Sequence, residues 1–327
     1  MVSVLHSVAA QSDFDQFFAT LADGLDAEEA ATLREAVAYA WEIYGEAVLG
    51  SGERIWSHAL GMAVIVAGLR LDADSRMAAV LFAAPAYDEH AMTRLEERFG
   101  KAAAQLVNGI SRLNRLRPIT KGFVAASLEA GMVNPAEVRA QVEVLRKMLL
   151  AMVEDIRVVL LRLASRTQTL RFYAAHADDL RVEVARETLE LYSPLANRLG
   201  VWELKWELED LSFRFLHPDL YKKIAGMLDE KRSEREQFIA DAVAKVRAEL
   251  VATGVANAAI YGRPKHIFSI WSKMRNKEVD FSEVYDIRAL RIIVDDIKDC
   301  YTALGIVHNL WSPIPKEFDD YISNPKG

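Results

Sequence analysis

From Asp13 to about Leu250, apolar residues recur at three- and four-residue spacing in a background of Ala, Leu, Glu and Arg. That period matches the 3.6-residue turn of an α-helix and excludes a β-rich architecture over most of the chain. The run Ala59 to Leu69 is almost wholly apolar, is closed by Arg70 and is too short to span a bilayer, so it reads as a helix buried in protein. A second run, EVRAQVEVLRKMLLAMVEDIRVVLLRLASRTQTLRFY, is most apolar around Met148 to Leu163 and predicts a central helix covered by others. Trp202, Trp206, Phe213 and Phe215 follow among alternating charges between Pro194 and Pro218. The charged stretch Leu228 to Leu250 then reads as a spacer helix. At Gly254 the texture changes: ANAAIYGR and VYDIRALRIIVDD are short β-rich runs flanking a helical pattern from Lys265 to Lys277. They predict an α/β domain that begins near Val255.

A chain of 327 residues with 51% hydrophobic and 27% charged residues is long enough for roughly two domains with substantial cores. The net charge of −7 gives no global attraction to nucleic acid, so any polyanion site must be a local basic patch. Cys300 is the single cysteine, which rules out an intramolecular disulfide and fits a reducing, cytoplasmic compartment. The opening MVSVLHSVAAQSDFDQF has no basic segment ahead of an apolar core, so neither export nor a membrane partner is expected.

The local basic patch is YGRPKHIFSIWSKMRNKE. Gly262 and Pro264 punctuate a strand-to-helix turn, with Pro264 suited to the first helical turn. Ile267, Ile270, Trp271 and Met274 form an apolar stripe, while Lys265, Ser269 and Lys273 recur every four residues on another face. From Asn257 to Glu278 the cations Arg263, Lys265, Lys273, Arg275 and Lys277 meet one carboxylate, Glu278. A helix N-terminus, a hydroxyl and two stacked ammonium groups can follow a polyphosphate, but spacing alone also reads as a solvated face of an amphipathic helix. Asp286, ahead of the apolar strand residues, suits Mg²⁺ because hard cations take oxygen donors. Its alternative is an ion pair with Arg288, two residues on.

Five ordered blocks carry a family resemblance: ETLELYSPLANRLGVWELKWELEDLSF, YGRPKHIFSIWSKM, VYDIRALRIIV, DCYTALGIVHNLW and EFDDYISNPK. Over nearly its whole length the chain resembles the RelA/SpoT family of long alarmone enzymes. The resemblance implies a mainly α fold: a helical HD-type hydrolase domain over residues 1–195 and a helical linker over 196–254. The first part of an α/β, nucleotidyltransferase-like synthetase domain then occupies 255–327. It further implies transfer of pyrophosphate from ATP to the 3′-hydroxyl of GDP or GTP. Arg263, Lys265, Ser269, Lys273 and Lys326 would bind ATP, and Asp286 would be the catalytic Mg²⁺ ligand.

The family's hydrolase domain holds Mn²⁺ with a first His, a consecutive His-Asp pair and a later Asp. Here the first survives as His58, whereas the pair is replaced by Ala83 and Ala84 in LFAAPAYDEH and the late Asp by Ser165 in LASRTQTLR. Tyr87 stands where an acidic residue should follow the pair, and Leu49 replaces a basic residue before SGE. Methyl groups cannot ligate a metal and one imidazole does not hold Mn²⁺ usefully, so the resemblance implies a pseudo-hydrolase without Mn²⁺. Asp88, Glu89 and His90 point in different directions as consecutive residues and read as a solvated turn.

The acidic stretch Glu317-Phe318-Asp319-Asp320 resembles that of synthetase-only RelA proteins, its alternative being a plain surface turn. The sequence stops at SNPKG, ahead of the family's guanine-stacking block and second acidic strand. The expectation is therefore a piece of a longer enzyme, unable to make (p)ppGpp alone, with ribosome and uncharged-tRNA contacts made by C-terminal regions. A noncatalytic regulatory module that restrains a synthetase is the alternative.

Overall fold

The computed structural model describes residues 11–114, 155–230, 232–255, 257–281, 284, 288–314 and 318–325. They fall into two compact units, Met1–Leu216 and His217–Gly327. Among the described residues no helix is long and apolar enough to cross a membrane.

The described residues of the first unit form helices joined by short turns. α1 spans Gln11–Leu21, α2 Ala27–Tyr44, α3 Ile55–Gly68, α4 Ala73–Val80 and α5 Ala91–Phe99, and α6 covers 101–114. α7 spans Ile156–Ala175, α8 Leu180–Glu187, α9 Ser193–Arg198 and α10 Trp202–Leu216, with a π-helical turn at Thr188–Tyr192. α2 starts in a capping box, in which Asp26 accepts from the Glu29 amide and Glu29 accepts from the Asp26 amide. Its buried residues Leu33, Ala36, Val37, Ala40 and Tyr44 keep a single helical face. α3 has no polar face: ten residues from Ile55 to Ala67 are buried, as the apolar run in the sequence predicts. α7 packs on α3 with Val158, Leu161 and Ala164 in the shared core, and the Met148 end of the predicted central helix lies outside the described residues.

The second unit contains α11 (Pro218–Glu230), α12 (Arg232–Ala252), β1 (Ala259–Pro264), α13 (Ile267–Lys277), β2 (Arg288–Ile293) and α14 (Ile297–Leu310). β1 and β2 pair antiparallel, from Ala259 opposite Ile293 to Pro264 opposite Arg288. The core joins Val246 and Leu250 of α12 with Ala258, Ile260 of β1 and Ala303 and Ile306 of α14.

Three expectations need correction. The helix read as a spacer, α12, supplies core residues to the second unit, because Val246 and Leu250 recur at i, i+4 and cover the sheet. The expected 196–254 linker is not a separate body: α10 packs with α7, α8 and α9, whereas α11 and α12 belong with the sheet. Pro264 ends β1 rather than opening the helix, whose N-cap is His266. Gly262 likewise lies within the strand. A Cβ there would overlap Ile239 Cγ2, so glycine is what lets α12 approach β1 so closely.

Candidate functional site

His58 sits one turn inside α3, with its ring 1% exposed. Its Nδ1 lies 2.7 Å from Glu53 Oε2 and its Nε2 lies 2.9 Å from Ser165 Oγ on α7. The other oxygen of Glu53 accepts from Gln168 Nε2 at 2.7 Å. Gln168 is one helical turn past Ser165, so the two polar side chains of α7 reach His58 on α3 and Glu53 just ahead of it. Gly61 makes this approach possible, since a Cβ there would overlap the Gln168 amide. Because an ionised carboxylate only accepts, Glu53 assigns the proton to Nδ1 and leaves Nε2 to accept from Ser165.

Ala83 and Ala84 are buried and lie just past the end of α4. α4 ends at Val80; Ala83 caps a short 3₁₀ turn, Ala84–Ala86, started by Pro85. The Tyr44 hydroxyl donates to the Val80 carbonyl at 2.9 Å and accepts from the Ala83 amide at 3.2 Å. Burial pushes that phenol well above its ordinary range. The Phe82 ring packs against His58 with centroids 5.3 Å apart.

This donor set does not fit Mn²⁺. Both His58 nitrogens are engaged, two positions are methyl groups, and Ser165 offers a neutral hydroxyl. Among the described residues no three His, Cys, Asp or Glu side chains converge to hold a metal ion. Asp88 does not compensate. Its carboxylate accepts from Arg94 at 2.7 Å, from Tyr39 at 3.1 Å and from the His90 amide at 2.9 Å, with Glu89 and His90 exposed. The His90 amide bond, foremost, holds the Asp88 carboxyl below the usual carboxylate range.

His58 and Ser165 line a partly open cavity of about 510 Å³. Leu49 and Ser51 contribute on one side and Arg162, Arg166, Thr169 and Glu187 on another. Arg166 Nη2 donates to Glu187 Oε2 at 2.6 Å, and its guanidinium lies 4.2 Å from the centre of the Tyr192 ring. Arg162 Nη2 donates to the Tyr192 hydroxyl at 3.0 Å. Burial raises that phenol, yet Arg162 and Arg166 outweigh it and hold the group below its ordinary value. Arg166 Nη1 and Glu187 Oε1 are buried with no partner among the described residues. The π-helical turn after Glu187 sits beside this network, where such turns often mark functional positions.

Sequence reasoning missed Glu53, Gln168, Arg166 and Glu187. The i, i+4 pair Arg162 and Arg166 and the i, i+3 pair Ser165 and Gln168 were available signals, but their targets lie on other helices.

In the second unit, Lys265 precedes α13 rather than lying on it, so the three-residue polar row is a loop lysine followed by helical Ser269 and Lys273. All three are half-buried. His266 makes no side-chain cap bond, so the first-turn amides of α13 are not closed by their own N-cap. Of the apolar stripe, Ile270 is fully buried. Trp271 is half-buried, stacking on His217 at 5.6 Å with the Arg275 guanidinium 5.4 Å from its ring centre. β1 ends in Arg263 and Pro264, opposite Ala289 and Arg288, and the Arg263 side chain lies outside the described residues. So do Asp286, Glu317 and Lys326. Asp320 accepts from the Ile322 and Ser323 amides and from Ser323 Oγ, which makes it the organiser of a surface turn.

A family model described as "HD domain" matches residues 36–202, and a second, "Region found in RelA / SpoT proteins", matches 262–327. A protein named GTP pyrophosphokinase from Escherichia coli (strain K12) is 44% identical over 267 residues, covering 81% of this chain and 34% of the relative. The Haemophilus influenzae protein named guanosine-3′,5′-bis(diphosphate) 3′-pyrophosphohydrolase is 40% identical over 276 residues, covering 84% of this chain and 38% of the relative. A protein of that second name from Aquifex aeolicus is 36% identical over 300 residues, 91% of this chain and 40% of the relative. The chain thus spans about a third of the length of the curated relatives it matches. With an HD domain over half its residues and the RelA/SpoT region after it, this chain belongs to the RelA/SpoT family.

Proposed function

We propose that the second unit binds ATP along α13 as part of a (p)ppGpp synthetase that transfers pyrophosphate to the 3′-hydroxyl of GDP or GTP. On this reading the HD unit does not hydrolyse the alarmone. The supporting observation for synthesis is the N-terminus of α13, where first-turn amides without a side-chain cap lie between Lys265 and Ser269, with Lys273 one turn further along the helix. A helix N-terminus with nearby ammonium groups suits phosphate oxygens. In the transfer, the 3′-oxygen bonds to the β-phosphorus as the bond to the α-phosphate oxygen breaks and AMP departs. Such a step asks for alignment and charge neutralisation more than covalent participation, which matches what these side chains offer. Arg263 and Lys326 are proposed to add charge at the same phosphates. Asp286 is the proposed oxygen ligand for Mg²⁺, which when bound would neutralise phosphate charge.

For the HD unit, the reading rests on its donors: His58 has no free ring nitrogen, and the remaining ligand positions are Ala83, Ala84 and Ser165. A cytoplasmic setting is in keeping with the single Cys300. Calorimetric titration of ATP in the presence of Mg²⁺ tests the synthetase half. Lys273→Ala is expected to weaken binding by about tenfold. Equal affinity of the variant and the parent would refute the assignment of α13.

A further inference from the structure

Ser165, His58 and Glu53 stand in one hydrogen-bonded line. Ser165 Oγ is 2.9 Å from His58 Nε2, and His58 Nδ1 is 2.7 Å from Glu53 Oε2. A hydroxyl, an imidazole and a carboxylate joined at hydrogen-bonding distance form the arrangement that activates a serine nucleophile, recognised by geometry rather than by position in a chain. The carboxylate is itself held, by Gln168 on its second oxygen, so the tautomer and tilt of His58 are fixed from behind. Ser165 and His58 line the cavity of about 510 Å³, a size that accepts a small organic molecule. Its wall includes apolar Phe82, Leu180 and Val184 and the buried donor Arg166 Nη1, which has no partner among the described residues.

We propose that this cavity is a metal-independent esterase-type site, with Ser165 as nucleophile, His58 as general base and then acid, and Glu53 as a positioning residue. The substrate class is a small carboxylic ester. Ser165 Oγ bonds to the carbonyl carbon while its proton passes to His58 Nε2, and the carbonyl oxygen takes the electron pair. The ester C–O bond then breaks, the alkoxide leaves with the proton from Nε2, and an acyl-serine remains. Water adds to that carbonyl, giving a proton to Nε2. Ser165 Oγ departs with it, releasing the carboxylic acid and restoring the hydroxyl. This activity is independent of phosphate binding in the second unit.

The test uses the whole 327-residue chain in EDTA. A fluorophosphonate probe, which phosphonylates activated serines, is followed by peptide mass spectrometry, and p-nitrophenyl acetate hydrolysis is followed alongside. Labelling is expected on Ser165 and absent in Ser165→Ala, whose thermal unfolding should match the parent. Glu53→Gln is expected to slow labelling by at least about tenfold, with part of the rate recovered in Glu53→Asp. A folded parent chain without an adduct at Ser165 overturns the proposal, as does labelling at an undiminished rate in His58→Gln.

Discussion

Both ring nitrogens of His58 are engaged, Nδ1 with Glu53 and Nε2 with Ser165. Restoring ligand chemistry should therefore require several changes together. Ala83→His combined with Ala84→Asp and Ser165→Asp is expected to give measurable Mn²⁺ binding by isothermal titration, whereas Ser165→Asp alone is not. Deeper in the same wall, Arg166 and Glu187 form a buried pair. Arg166→Met alone strands the carboxylate and should cost about 3–5 kcal/mol in urea unfolding, while Arg166→Met with Glu187→Met should recover most of that loss. At this scale the sequence was partly legible. That Ala83 and Ala84 offer only methyl groups, which cannot ligate a metal, is readable from residue type alone. Glu53 and Gln168 are not readable in this way, since their pairing exists only once α3 and α7, far apart in the chain, come together at Gly61.

The ends of α4 and α7 are tied by one arginine. Asp72 caps α4 by accepting from the Ser75 amide, Asp155 caps α7 by accepting from the Arg157 amide, and the Arg157 side chain bonds both carboxylates at 2.6 Å. Burial raises the Asp72 carboxyl, but the Ser75 bonds and Arg157 outweigh it and leave the group below its ordinary value. The bond from Arg157, foremost, lowers Asp155 as well. For carboxylates depressed by folding, the stabilisation is complete above their unfolded pKa of about 4 and disappears as pH falls through the lower folded values. The melting temperature of the parent should thus exceed that of Arg157→Gln at neutral pH, and the gap should close in acid. In the second unit, Gly262→Ala places a methyl against Ile239 and should destabilise by about 1–3 kcal/mol, relieved by adding Ile239→Ala, as thermal unfolding would read. Helix periodicity and the change at Gly254, where φ is +88°, were readable along the chain. The roles of Gly262 and Pro264 were not, because local turn chemistry at YGRP competes with strand pairing that involves residues nearly thirty positions later.

Across the whole molecule, a helical unit holding most of the HD domain is followed by a unit that carries the RelA/SpoT region and its basic helix. The division at Leu216 rather than at the expected linker follows from burial. α12 looks like a solvated spacer by composition, and only the sheet beneath it reveals Val246 and Leu250 as core. Family membership was legible from five sequence blocks, whereas the hydrogen-bond line through His58 became visible only in three dimensions. We propose that the line Glu53–His58–Ser165 stands in the HD cavity in place of a metal cage. Elemental analysis after dialysis against Mn²⁺ and removal of free ion tests it most directly. The prediction is no manganese retained above that of a His58→Gln control, and one manganese ion per chain, lost in that control, would contradict it.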